Sequence, residues 1–260
     1  MQIKGFCPIH CVQTTGSLIV RRLHARDKYT FSLLSTDFDD GWWLRLQGLC
    51  PGSWRDSYIW GMDLALYRNH FGNEADQGRT LPRAEANALL DSWVLNPRLR
   101  LHMEQVGFLM RSWAAEREHE DELGQYRWEL AGLLHDADWD QWPQQHCRKI
   151  IEELELRRID PAILHAIASH GPAHFGVEPE TRMDKMLYAF DELSGLIHAY
   201  SLMRPGGYEG MEVKGVKKRL KEKSFAANVS REEIQDACSR AGIPLEELAE
   251  FIISKQSGVK

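Results

Sequence analysis

Polar and apolar positions along the chain change character near residue 80. Downstream, apolar residues recur at helical spacing between clear stop and start signals. Residues 83–95 carry one apolar stripe and halt at Asn96-Pro97, because a proline disfavours the helical conformation in the residue before it. Residues 98–118 resume the period, with Val106, Met110 and Trp113 on one face. Segments 125–135, rich in Leu and Ala, and 145–156 follow. Asp160-Pro161 supplies an N-cap and a first-turn proline for a helix ending at Gly171. Thr181 with Asp184, and Ser230 with Glu233, have capping-box spacing. The first opens a long helix to about residue 203 and the second a helix ending at Gly242, before a last helix over 245–255. Residues 81–260 are therefore predicted to form an all-α domain, a helical bundle without internal repeats.

Residues 1–80 sustain no period. Runs at 29–34 and 42–46 are candidate strands, separated by turn signals such as Asp39-Asp40-Gly41 and Pro51-Gly52-Ser53. The pattern suits a small α+β unit or a poorly ordered extension, and assigns the segment no role.

Composition narrows the classes. Hydrophobic residues at 43% and charged residues at 27% of 260 fit a globular chain with a sizeable core, not a disordered or collagen-like one. No apolar run reaches the roughly 18–20 residues of a membrane helix, so no membrane span is expected. A net charge of −6 argues against a nucleic-acid polymer as partner. Five widely spaced cysteines make a disulfide framework improbable and a reducing cytoplasm the expected compartment. No signal-peptide pattern opens the chain. The Cys7-Pro8-Ile9-His10-Cys11 segment offers three soft ligands, but no second spaced pair completes a tetrahedral site.

Chemistry gathers in the helical region. His102, His135-Asp136, His146, His170 and Asp191 recur there, several at helix ends. Adjacent side chains in a helix point about 100° apart. At a terminus that constraint relaxes, and His135-Asp136 sits where an apolar helix gives way to the polar stretch Ala137-Asp138-Trp139-Asp140. The plain alternative is a helix-terminal histidine favoured by the macrodipole beside a solvated aspartate. Imidazole with carboxylate suits zinc, iron, manganese, cobalt or nickel better than calcium. Four imidazoles and two carboxylates exceed the needs of one ion and suggest two ions sharing a carboxylate.

A lone His-Asp pair would carry no weight, but the ordered set resembles the HD-domain superfamily of metal-dependent phosphohydrolases. The segments Leu130-Ala131-Gly132-Leu133-Leu134-His135-Asp136, Ile167-Ala168-Ser169-His170 and Asp184-Lys185-Met186-Leu187-Tyr188-Ala189-Phe190-Asp191-Glu192-Leu193-Ser194-Gly195-Leu196 are similar to a bacterial branch of HD hydrolases. So are Leu101-His102-Met103, Val213-Lys214-Gly215-Val216-Lys217-Lys218 and Lys223-Ser224-Phe225-Ala226. The likeness covers roughly residues 83–255. It departs from the family in a Trp-rich stretch (Trp139, Trp142) and in Cys147, where a small residue is common.

The resemblance implies an HD helical bundle in which His102, His135, Asp136 and Asp191 are the defining metal ligands. His146 and His170 match the added histidines of two-metal members, with Asp136 as the bridge. One or two divalent transition metal ions would activate water against a phosphate ester, a nucleotide or small phosphorylated metabolite. Asp138 is expected to orient a ligand imidazole or a water, and Lys185 to assist at the substrate. Lys214, Lys217, Lys218 and Lys221 are expected either to collect substrate phosphates or to form a solvated helix face. His165 is expected to pack within the bundle. Two other readings share these residues: a di-iron oxygenase, and a non-catalytic metal-stabilised module binding a nucleotide.

Overall fold

The computed structural model describes residues 9–14, 17–22 and 70–259. Contacts divide the chain into two compact units, Met1–Leu64 and Ala65–Lys260. In the first, β1 (Ile9–Thr14) and β2 (Ser17–Arg22) pair antiparallel, with Ile9 opposite Arg22 and Thr14 opposite Ser17. Val12, Ile19 and Val20 supply the β-branched residues that suit a pleated strand. The strands expected at 29–34 and 42–46 lie outside the described residues, as does Cys7; His10 and Cys11 fall in β1.

The second unit is all-α among the described residues. Its helices are α1 (Arg83–Trp93), α2 (Pro97–Glu116), α3 (Glu122–Leu134), α4 (Arg148–Leu156), α5 (Pro161–Ala168) and the single turn α6 (Pro172–Phe175). There follow α7 (Arg182–Leu202), α8 (Val213–Lys221), α9 (Arg231–Ala241) and α10 (Leu245–Gln256). Asn96-Pro97 both ends α1 and opens α2, since the Asn96 side chain accepts from the Arg98 N–H and Pro97 takes the first helical position. α3 starts earlier than its apolar pattern, because the Asp121 carboxylate caps the Gly124 N–H. The helix expected to run to Gly171 stops at Ala168, and Pro172 opens α6 instead.

Residues ahead of α1 belong to this unit. Phe71 and Leu81 are buried in its core. The Gly78 N–H donates to Asp160 at 2.8 Å, and Asp160 also caps α5 and pairs with Arg127 of α3 at 2.5 Å. The helical unit thus begins upstream of residue 81.

The core is built on α2, α3, α7 and α10. Trp113 of α2 meets Phe251 of α10 at 4.9 Å and Phe190 of α7 at 5.7 Å, both edge-on. α2 and α3 approach closely at two glycines, Gly107 and Gly132. A Cβ on Gly132 would stand 2.9 Å from the backbone N and Cα of Gly107, closer than side-chain carbons come. Glycine inside a helix costs about 1 kcal/mol relative to alanine. Here its missing side chain lets two backbones touch, and that contact holds the ends of α2 and α3 bearing His102 and His135 side by side.

Candidate metal centre

Five segments deliver the six sequence-derived donors to one place. α2 carries His102, and α7 carries Asp191. His135 is the C-cap of α3, with Asp136 next to it. His146 follows the short 3₁₀ turn Pro143–Gln145, and His170 follows α5. The connection bearing Asp136 and His146 is pinned to the α1–α2 turn. Asp140 accepts the N–H groups of Leu95 and Asn96 at 2.8 Å each, and Trp142 packs on Trp93 at 4.8 Å.

Three imidazoles are oriented through their Nδ1 atoms. His135 donates to the Gly132 carbonyl at 2.8 Å, His170 to the Ile167 carbonyl at 2.6 Å, and His146 to the Asp138 carboxylate at 2.8 Å. Each Nε2 is then left as the inward-facing atom. Around Asp136 the geometry divides in two. Its Oδ2 lies 3.3 Å from His135 Nε2 and 3.9 Å from His102 Nε2. Its Oδ1 lies 3.2 Å from His146 Nε2 and 3.7 Å from His170 Nε2. Asp191 Oδ1 completes the first set, 3.0 Å from His102 Nε2 and 3.5 Å from His135 Nε2. Neighbouring rings sit 5.1–5.3 Å apart in a chain from His102 through His135 and His170 to His146.

Charge follows geometry. Burial opposes the charged form of His135, but the carboxylates of Asp136 and Asp191 outweigh it and hold its pKa well above the ordinary value. Burial likewise disfavours the Asp136 carboxylate, and His135 and His146 overcome this to hold it well below the usual range. Asp191 is lowered against burial by His102 and His135. His146 is raised to about 9, its hydrogen bonds to Asp136 and Asp138 prevailing over burial. His170, buried beside two other imidazoles, is lowered to about 4.

These residues can hold a metal ion. Three overlapping groups, His102–His135–Asp136, His135–His170–Asp191 and His146–Cys147–His170, each bring their donor atoms within 4.8 Å. His135 Nε2 is fully buried, aimed at the carboxylates, and hydrogen-bonded to nothing among the described residues. A buried nitrogen held only by ion-pair contacts, 3.3 Å from Asp136 and 3.5 Å from Asp191, without a well-aligned hydrogen bond is better satisfied by a ligand. Cys147 is a poorer donor. Burial, with Asp138 second, raises its thiol pKa well above the ordinary value, and its Sγ donates to the Ile167 carbonyl at 3.1 Å. Its φ of +68° lies in the left-handed region, which a residue without a Cβ occupies more easily.

Asp138 stands behind the donors. Fully buried, it accepts from His146, from the Cys147 N–H at 3.2 Å and from the Ile150 N–H at 2.9 Å. It therefore caps the first turn of α4 while holding the imidazole. Lys185 does not join the cluster. Six residues before Asp191 on α7, it lies roughly 120° around the helix and about 9 Å along it. Lys214, Lys217, Lys218 and Lys221 line a groove of their own, which none of the six donors borders.

Sequence reading missed Phe175. Its ring sits 5.2 Å from His146 and 5.1 Å from His170, and with Trp139, 4.8 Å from His146, it walls one side of the cluster. The glycines flanking Pro172 to Phe175 mark a tight turn, but nothing local says that it folds onto the histidines. Glu192 was missed too. Half-buried beside Asp191, its carboxyl is pushed up to about 8 by desolvation and by the Asp191 charge, and it accepts the Ser230 N–H at 3.0 Å. His165 packs in the bundle as expected, hydrogen-bonded to Asp184 at 2.9 Å.

Comparison with protein-family models, with curated proteins and with solved structures finds no match to the chain.

Proposed function

We propose that the chain is a metal-dependent phosphohydrolase of the HD superfamily, with His102, His135, Asp136, His146, His170 and Asp191 holding one or two divalent transition metal ions. The observation that carries this reading is the Asp136 carboxylate, whose two oxygens face different pairs of imidazoles. A carboxylate so placed could be shared between two ions if both were bound. When bound, such an ion lowers the pKa of a coordinated water toward neutrality and withdraws charge from a phosphoryl oxygen.

The protein's own part is orientation and exclusion. The Nδ1 hydrogen bonds of His135, His146 and His170 fix each tautomer and keep Nε2 as the donor atom. Asp138 acts through His146 and α4, not on substrate. Phe175 and Trp139 keep water from the flank of His146 and His170, which strengthens electrostatic interactions inside the site. Trp139 is 50% exposed beside His146. A large aromatic face at the edge of the donor cluster favours a nucleotide over a sugar phosphate as substrate, since a base can stack on it.

The test is orthophosphate release by the full chain supplied with manganese, cobalt, nickel or iron(II), across nucleotides and sugar phosphates. Turnover of at least one phosphate ester, lost in Asp136→Ala, is expected. Full metal occupancy without hydrolysis of any ester would leave a non-catalytic module. Oxygen uptake by the iron form, without phosphate release, would assign the same ligands to an oxygenase.

A further inference from the structure

Lys214, Lys217, Lys218 and Lys221 stand at i, i+3, i+4 and i+7 on α8 and so share one helix face. Together with Tyr200, Gly210, Gly215 and a single carboxylate, Glu212, they line a groove of about 760 Å³. That volume lies within the ~300–1,000 Å³ range of small-molecule sites. The opposite face of α8 is anchored through Val216, which is fully buried.

The cations around this groove divide by task. Arg219 pairs with Glu222 and lies 5.3 Å from the centre of the Tyr200 ring. Arg204 donates to the carbonyls of Gly207 and Gly210 and lies 5.7 Å from the same ring. Both arginines are used to build the walls. Lys217 pairs with Glu246 of α10. Lys214, Lys218 and Lys221 form no ion pair among the described residues, although like charges three and four residues apart on a helix repel.

The floor is shaped for close approach. A Cβ on Gly215 would stand 2.5 Å from the Tyr200 hydroxyl, so the tyrosine lies close against α8 here in the space glycine leaves. That hydroxyl hydrogen-bonds no described residue and remains available to a ligand oxygen.

The groove is not an annex of the metal centre. Tyr200 comes nine residues after Asp191 on α7, which places it about 180° around the helix and about 14 Å further along. Lysines gathered beside Tyr200 therefore face away from a phosphate held at Asp136 and Asp191.

We infer that the α8 groove binds a small oligophosphate at a site separate from the metal centre. The stripe spans about 10 Å along α8, long enough for its lysines to meet more than one phosphate group. Ammonium groups bind phosphate oxygens as point charges through charge-assisted hydrogen bonds. The net charge of −6 opposes a nucleic-acid polymer and leaves a compact anion as the occupant.

The experiment is calorimetric titration of inorganic tripolyphosphate, and in parallel of ATP, into the full chain with a chelator present to keep free divalent metal low. Wild type is compared with the triple variant Lys214→Gln, Lys218→Gln, Lys221→Gln and with Asp136→Asn. One saturable site per chain is expected, weakened by at least about tenfold in the triple variant and retained in Asp136→Asn. Equal affinity for both probes would assign the site to the phosphate chain alone, and tighter ATP binding to a nucleotide. The three lysines are exposed, and matching melting curves for wild type and triple variant check that folding is intact. Unchanged affinity in the triple variant overturns the inference. So does loss of binding in Asp136→Asn, or displacement of tripolyphosphate by an equimolar single-stranded oligonucleotide.

Discussion

Asp138 shows how one carboxylate serves both site and fold. It accepts from the His146 ring and from two backbone N–H groups at the start of α4. Asp138→Ala leaves three donors without an acceptor, two of them buried backbone N–H groups, and a loss of about 3 kcal/mol in unfolding free energy is expected by denaturant titration. Metal affinity should fall about 10–100-fold, measured against a competing chelator. Unaltered affinity would reduce Asp138 to a helix cap. Metal uptake has its own pH signature. His135 and His146 are held protonated by the carboxylates in the metal-free protein, His146 up to about 9. Ligation needs neutral imidazole, so uptake at neutral pH should release protons, and affinity should climb as pH rises toward 9. Calorimetry in buffers of different ionisation enthalpy reads that release, and a pH-independent affinity would contradict it.

A second pair gives a stability signature away from the metal. The His165 pKa is raised, chiefly by its hydrogen bond to Asp184. A group raised on folding stabilises fully below its unfolded pKa, near 6.5, and loses that contribution as pH rises through its folded value. His165→Gln should therefore cost more stability at pH 6 than at pH 9 in thermal melts. A gap that is constant or widens with pH would contradict the pairing. At this scale His135, Asp136, His146 and His170 stood out because they lie at element ends, whereas His102 and Asp191, inside α2 and α7, stood out only through the ordered set they complete. Phe175 was not, since only tertiary folding carries α6 back over His146 and His170.

Among the elements, the Gly107–Gly132 contact links packing to chemistry. Gly132→Ala improves helix propensity, yet its Cβ meets the α2 backbone at 2.9 Å. The helices must separate, and overpacking of this kind costs about 1–3 kcal/mol. Because α2 and α3 carry His102 and His135, metal affinity should fall together with stability. An alanine variant as stable and as metal-avid as wild type would show that the crossing does not set the site. Capping chemistry was largely readable beforehand. Thr181 and Asp184 form the full reciprocal box. Ser230 makes only half of one: its side chain accepts from Glu233, while its own N–H donates to Glu192 of α7. The spacing held the local half, and a neighbour distant in sequence took the other. The early start of the helical unit was hidden for the same reason. The backbone N–H groups of Gly72 and Gly78 find their partners, Glu155 and Asp160, about eighty residues away.

For the whole molecule, periodicity disclosed an all-α domain because most helices bury an apolar stripe and several open on side-chain caps, at Asn96, Asp160, Thr181 and Ser230. Order along the chain could not disclose which helix ends meet. The fold brings together donors spread from His102 to Asp191, around a buried His135 Nε2 that faces Asp136 and Asp191 yet makes no hydrogen bond among the described residues. Filling such a site joins binding energy to folding, so the protein should melt higher with manganese, cobalt or nickel than after chelation, by an amount that grows with free metal. Among the described residues no helix is long and apolar enough to cross a membrane. Metal content of the purified full chain, measured by elemental analysis on wild type and Asp136→Ala, tests the metal centre most directly. One or two transition metal ions per wild-type chain are expected, and their loss in Asp136→Ala. A wild-type chain that takes up none, or an Asp136→Ala chain that keeps the full load, would contradict that.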